Sequence, residues 1–221
     1  METSTVVQTV ATVIASVAAL TASVTALVGI DAWRREHIGK KRVDLAEETL
    51  ALFYEASDAI SAIRNPLGWP GDGESRKAGK DETPEETSIL NRWYVFYERY
   101  EKRQQIFNRI HALRYRFMAQ VGKDEAEPFL ELNRVLNQIL LDAKSISKIA
   151  LRFHKGEIRG QKRVESYQNQ MDEKEKTVWE GADVDPIAPR MKKLIAGIER
   201  TCQTMIRNSR GSLFDVEYDG P

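Results

Sequence analysis

The sequence predicts an all-α protein in which an N-terminal transmembrane helix is followed by an antiparallel hairpin or bundle of long helices. Three observations predict this fold. No residue from Thr3 to Ile30 is charged, although 30% of the 221 residues are charged. Beyond Ile30, apolar residues recur at spacings of three and four, which is typical of helices that bury one face. No stretch shows the convincing period of two that a half-buried strand would have.

Segment 1–30 is long enough and apolar enough to anchor the chain in a membrane. Seventeen of the 25 residues from Val6 to Ile30 are apolar. As a helix rising 1.5 Å per residue they would extend roughly 37 Å, which exceeds the about 30 Å of a hydrocarbon core. A cleaved signal peptide is the alternative. It fits less well, because the apolar run is too long and the amino end offers Glu2 but no Lys or Arg.

Segment 31–42 is basic and predicts the orientation of the span. It holds five Lys or Arg residues against two acids. Positive charge stays on the cytoplasmic side, so we expect the N-terminus outside the cell membrane and the rest of the chain inside. A topology signal is one role for these bases, and binding of anionic lipid headgroups is another. The residues predicted to lie at the interface are Trp33, Arg34, Arg35, Lys40, Lys41 and Arg42.

Small or hydroxyl-bearing side chains follow one face of the predicted span at spacings of three and four. Small residues let helix backbones approach closely in lipid, and hydroxyls can hydrogen-bond across the contact. This pattern suggests self-association, and a stronger hypothesis has several copies lining a polar pore. A simple anchor rich in Ala and Thr is the alternative. The residues of this small-residue stripe are Thr9, Thr12, Ser16, Ala19, Ser23 and Ala26.

Segment 43–210 is predicted to form a cytoplasmic helical bundle, whose first helix ends at Asn65-Pro66. The loop 65–84 that follows is crowded with Gly, Pro and charged residues. Loops of this length are usually either functional or disordered. Thr83 is predicted to cap the next helix, with Pro84 at its first position. The candidate functional residues of the loop are Asn65, Pro66, Gly71, Gly73, Glu74 and Arg76.

The remaining chain is predicted to hold three further long helices. The first runs from the Thr83 cap to residue 121, and the second opens at Asp124 or Glu125 and stops at Gly156. The segment 157–185 is a polar connector, with a solvated helix around 163–178. A final helix starts at Asp185-Pro186, and segment 211–221 is expected to be a flexible tail.

Charge predicts which helices of the bundle pair. Segment 43–63 has five acids and no Lys or Arg, whereas segment 92–117 has seven bases and two acids. An antiparallel arrangement would place these opposite charges side by side. Each exposed pair is worth less than about 1 kcal/mol, so apolar burial must supply the stability. We do not expect nucleic-acid binding by 92–117, because its aromatic residues lie on the apolar stripe.

No motif for catalysis, cofactor binding or metal binding is found in the sequence. The three histidines lie on separate segments, and none forms the E-x-x-H pair of a di-iron bundle. The Gly-Lys pairs lack the earlier glycine and following Ser or Thr of a phosphate-binding loop. Cys202, the sole cysteine, lies on an apolar stripe and is predicted to be a core residue. We therefore expect neither an enzyme nor a bound cofactor or metal.

Several stretches resemble an uncharacterised family of bacterial proteins that pair one N-terminal transmembrane helix with a cytoplasmic all-helical region. These stretches are LFYEASDAISAIRNPLGWPGDGESR, YVFYERYEKRQQIF, HALRYRFMAQVG and EPFLEL. The resemblance covers about residues 30–155 and implies a bacterial inner-membrane location. It implies no catalytic residue. Apart from the loop, it draws attention to Arg114 and Arg116.

These expectations describe a single-pass membrane protein that acts as a scaffold, sensor or assembly protein without evident catalytic activity. Its expected partners are the lipid bilayer, an unknown protein and other copies of the chain. The alternative is an oligomeric membrane effector whose span, striped with Thr, Ser and Ala, forms a pore.

Overall fold

The computed structural model describes residues 2–68 and 71–214, and these form α-helices without any strand, so the all-α prediction is confirmed. Helix α1 contains the predicted span and the first bundle helix in one uninterrupted helix. A short 3-10 helix, Asp124–Ala126, precedes α4. The six α-helices are α1 (Glu2–Arg64), α2 (Pro84–Glu101), α3 (Gln104–Gln120), α4 (Glu127–His154), α5 (Gln161–Val178) and α6 (Ala188–Phe214).

The chain divides into two compact units, of which one is Met1–Ala46 with Thr204–Pro221 and the other is Glu47–Gln203. In the first unit the end of α6 meets the middle of α1 at Gly39. A Cβ atom on Gly39 would lie 3.7 Å from the carbonyl oxygen of Ser209, and Ser209 itself is buried. The larger unit holds most of the buried side chains.

The core of the unit Glu47–Gln203 is built around α4, which packs against α2 and α5. Phe129 of α4 meets Phe53 edge-on at 4.8 Å between ring centroids and lies 5.1 Å from Phe117. A second aromatic group joins α2 to the end of α5, where Phe96 and Trp179 are 4.6 Å apart. Burial of these apolar side chains is the main source of stability, at roughly 25 cal/mol per Å².

The predicted helix from 84 to 121 is in fact two helices, and this part of the prediction is wrong. The chain turns at Lys102 and Arg103, where the Arg103 N–H donates to the carbonyl of Tyr100 at 2.8 Å. This tight final turn supplies a partner for a carbonyl that a helix end would otherwise leave unpaired. Neither Gly nor Pro lies at the break, so the sequence carries no conventional signal for it.

Other helix boundaries shift by a few residues. The long fourth helix begins at Glu127 after the 3-10 turn, and the last helix begins at Ala188. That last helix continues to Phe214, four residues into the segment expected to be a flexible tail. The solvated helix expected in the connector is present as α5.

Two ion pairs join the acidic and basic segments that were predicted to pair. Arg116 Nη1 lies 3.0 Å from Glu48, and Arg109 Nη1 lies 3.5 Å from Glu55. The two pairs run in opposite chain directions, as an antiparallel packing requires. All four side chains are at least 41% exposed, so each pair contributes at most about 1 kcal/mol.

Candidate functional site

The loop between α1 and α2 is fastened to α2 at Gly73. Gly73 is buried with φ +84°, and its N–H donates to Glu98 Oε2 at 2.6 Å. A Cβ at this position would lie only 2.1 Å from the carbonyl oxygen of Asn91, so no residue with a side chain fits. Gly71 also has a positive φ, +87°, but the nearest atom to an added Cβ is 3.8 Å away.

Arg99 of α2 binds several backbone carbonyls at the start of the same loop. Its buried guanidinium donates to the carbonyls of Ile63 (3.3 Å), Asn65 (2.5 Å) and Leu67 (2.9 Å). It also forms an ion pair with Asp72 at 2.7 Å. Carbonyls at the end of a helix have no partner within that helix and carry partial negative charge, so a buried cation stabilises them.

Arg76 holds the second half of the loop. Its Nε donates to Asn91 Oδ1 at 2.8 Å, and its Nη1 donates to Glu82 Oε1 at 2.9 Å. The pKa of Glu82 is lowered from 4.5 to about 2. The hydrogen bonds from Arg76 are the largest cause, and a hydrogen bond from the Gly79 N–H is the second. The loop then enters α2 through the predicted cap at Thr83, which forms a capping box with Glu86.

We predict that acid releases the Arg76–Glu82 contact only at very low pH. Because the pKa of Glu82 is lower in the folded chain, the contact stabilises the loop fully above pH 4.5 and is lost as the pH falls through about 2. An NMR titration of the Glu82 carboxyl carbon should give a midpoint near pH 2. In the variant Arg76→Gln the midpoint should rise toward 4.5. A midpoint near 4.5 in the unmodified chain would contradict this prediction.

Arg64, the last residue of α1, fastens that helix to the end of α5. It is 2% exposed and donates to the carbonyls of Thr177 and Trp179, both at 2.9 Å. It also pairs with Asp185 at 2.8 Å. In return, the Glu180 N–H donates to the carbonyl of Arg64 at 2.8 Å. Each chain segment thus satisfies backbone groups that the other leaves unpaired.

The candidate loop residues differ in whether they pack against α2 or lie at the surface. It brings Gly73 and Arg76 against α2, and Asn65 contributes its carbonyl to Arg99. Pro66 and Glu74 lie at the surface. Sequence reasoning missed Arg64 and Arg99, together with Glu98. Arg99 lies three residues after the core residue Phe96 and Arg64 four after Ile60, and this spacing was the available signal.

The stripe of small residues in α1 is exposed wherever the structure describes its side chains. Ser16, Ala19, Ser23 and Ala26 are exposed, whereas the side chains of Thr9 and Thr12 lie outside the described set. Among the described residues, one helix is long and apolar enough to cross a membrane by length and composition. The bulky residues beside the stripe are between 55% and 68% exposed, and they are Val17, Leu20, Val24, Leu27, Val28 and Ile30.

The predicted interface residues lie together on α1, immediately after this apolar stretch. Trp33 is 64% exposed, and its ring stacks on that of His37 at 5.4 Å between centroids. The basic side chains that follow are all exposed, and they are Arg34, Arg35, Lys40, Lys41 and Arg42.

Cys202 is fully buried, as predicted for a core residue. Burial raises the pKa of its thiol to about 12, so the thiol stays protonated at neutral pH and is a poor nucleophile. Within residues 2–68 and 71–214, no group of three or more His, Cys, Asp or Glu side chains is arranged to hold a metal ion.

No family model, curated protein or solved structure matches this chain. A functional interpretation therefore depends on the residues and contacts described above.

Proposed function

We propose that this protein is a single-pass protein of the bacterial inner membrane, anchored by the early part of α1, with a helical cytoplasmic region that serves as a scaffold or sensor for a protein partner. The observation that carries the proposal is the uncharged stretch 16–30, whose described side chains are exposed on all faces. A long helix that carries no charged residue on any face is typical of a membrane span, because a bilayer supplies an apolar environment on every side.

Hydrogen bonds within α1 support residence in lipid. The hydroxyl of Thr21 donates to the carbonyl of Val17, and that of Ser23 donates to Ala19, both at 2.8 Å. Thr25 donates to Thr21 at 2.9 Å. Bonds of this type satisfy a hydroxyl without water.

The basic residues after the stretch support the proposed sidedness, because Lys and Arg are retained on the cytoplasmic face.

A scaffold role is supported by the loop after α1. The bonds from Arg99 hold the Leu67 carbonyl in place, while the side chain of Leu67 is 70% exposed. An exposed apolar side chain on a fixed backbone can bind a partner at little cost in conformational entropy.

We predict that one charge within the stretch removes the protein from membranes. Leu20→Asp places a carboxylate near the middle of the span, where insertion is strongly disfavoured, and the Ala- and Thr-rich segment has little hydrophobicity in reserve. After carbonate washing and ultracentrifugation, the unmodified chain should be in the pellet and the variant in the supernatant. Leu141→Asp is the matched control, since Leu141 is also exposed but lies on α4.

The proposed anchor is wrong if the unmodified, full-length chain is recovered in the supernatant. The proposed orientation has a separate readout. In spheroplasts, a C-terminal tag should resist added protease until the membrane is permeabilised, and digestion in intact spheroplasts would reverse the assigned sidedness.

A further inference from the structure

A cavity of about 200 Å³ lies between α3 and α4, within the unit Glu47–Gln203. Its apolar lining includes Phe107 and Ile110 of α3 and Phe129, Leu132 and Leu136 of α4. The polar lining includes Arg114, His111, Asn133 and Asn137. The lining therefore combines apolar walls, which can hold an apolar body, with polar groups that can orient a ligand, as small-molecule sites do.

Arg114 gives this cavity an unpaired hydrogen-bond donor. Its Nε is the one buried side-chain nitrogen or oxygen, among the residues that the structure describes, that has no hydrogen-bond partner. A buried donor without an acceptor is unfavourable, so an acceptor that reaches it gains more than it would at an exposed site. The guanidinium carbon also lies 5.6 Å from the centre of the Tyr115 ring, a contact that offers Nε no oxygen or nitrogen acceptor.

We propose that the cavity binds a small monocarboxylate with an apolar body, whose carboxylate pairs with Arg114. The Nε–H and Nη–H edge of a guanidinium matches the two oxygens of a carboxylate. Arg114 is the one permanently charged residue in the lining, so a monoanion balances the site, whereas a dianion brings one unmatched charge. The Asn133–Asn137 pair, joined by a 3.3 Å hydrogen bond, adds neutral polar groups.

The size of the cavity limits the apolar body. Its volume is below the roughly 300–1,000 Å³ of sites for drug-sized ligands, which favours a single ring or a short alkyl chain. The aromatic side chains of Phe107 and Phe129 in the lining suit a ring. Phenylacetate has this size and charge and is a suitable probe. This proposal does not depend on the membrane anchor, because the residues that line the cavity lie on α2, α3 and α4.

The test measures binding of phenylacetate and of its neutral analogue phenylacetamide to the full chain. Saturation-transfer NMR and isothermal titration are used, with the protein in a mild detergent and the detergent solution alone as the blank. We expect phenylacetate to bind at least tenfold more tightly than phenylacetamide. Arg114→Gln should remove this preference, and Arg114→Lys, which keeps the charge but loses the planar edge, should retain only part of it. Arg116→Gln, on the same helix, is the matched control and should bind like the unmodified chain.

The two ligands compared on the unmodified chain keep the proposal testable even if a variant folds poorly. Equal binding of the acid and the amide, or no binding of either, would overturn the proposal. So would equal affinities of the Arg114→Gln and Arg116→Gln variants for phenylacetate, given circular dichroism spectra that show both to be folded.

Discussion

Replacement of Arg64 by Met is expected to lower the free energy of unfolding by about 3–5 kcal/mol, because it leaves a buried charge and several carbonyls without their partner. Arg64 is 2% exposed and pairs with Asp185, which is itself largely buried. Methionine preserves much of the apolar contact of the side chain but donates no hydrogen bond. The carbonyls of Thr177 and Trp179 then lose their donor at a site that water does not reach easily.

Arg116→Met is the matched control for Arg64→Met. Arg116 also pairs with an acid on another segment, Glu48, but its side chain is 58% exposed. Its removal should cost less than about 1 kcal/mol. Urea unfolding of the full chain in a mild detergent, followed by tryptophan fluorescence, measures both variants, since Trp179 lies beside the affected contact. If both variants lose the same free energy of unfolding, the larger effect expected from the buried guanidinium of Arg64 is contradicted.

Gly73→Ala is expected to lower the free energy of unfolding by about 2–4 kcal/mol, from a strained backbone and an overpacked contact together. The backbone at Gly73 has φ +84°, a conformation that residues with a Cβ rarely adopt. The added methyl group would also meet the carbonyl oxygen of Asn91 at 2.1 Å. Because that oxygen belongs to the backbone of α2, the loop must move away and lose the bond to Glu98.

Gly71→Ala separates these two effects. Gly71 has nearly the same φ, +87°, but an added Cβ meets only the carboxylate of Glu74 at 3.8 Å. The loss should therefore be about 1–2 kcal/mol, from the backbone conformation alone. The same unfolding measurement applies, and amide hydrogen exchange at residue 73 reports whether the loop detaches. A Gly73→Ala variant that keeps slow exchange and loses no more than Gly71→Ala would contradict the close contact.

Helix boundaries that carry a local chemical signal could be predicted from the sequence. Thr83 and Pro84 mark the start of α2, and the capping box with Glu86 is present. Likewise, Asn65-Pro66 follows directly after the end of α1. These features depend on residues within a few positions of one another, so the local sequence is enough to predict them. The turn at 102–103 has no such signal.

The organisation of the loop could not be predicted, because charged residues are usually exposed and a count of them does not reveal which ones are buried. Arg99 and Glu98 count toward the basic and acidic totals of segment 92–117, yet both are buried and bind the loop. Arg99 reaches carbonyls 32 to 36 residues earlier in the chain. The spacing of Arg99 from Phe96 indicates that its side chain is buried, but no pattern in the sequence identifies partners at that distance. What composition does predict is the exposed apolar stretch of α1, since length and hydropathy are local properties.

The contact between Arg64 and Asp185 also has a consequence for biosynthesis. The two residues are 121 positions apart, so at about 5–20 residues per second the ribosome needs roughly 6–24 s after Arg64 to add its partner. During that interval the Arg64 guanidinium lacks its carboxylate partner, and because a buried unpaired charge is unfavourable, packing of the end of α1 against α5 is weakened. We therefore expect a chain truncated before Asp185 to be cleaved by protease near the end of α1 more readily than the full chain.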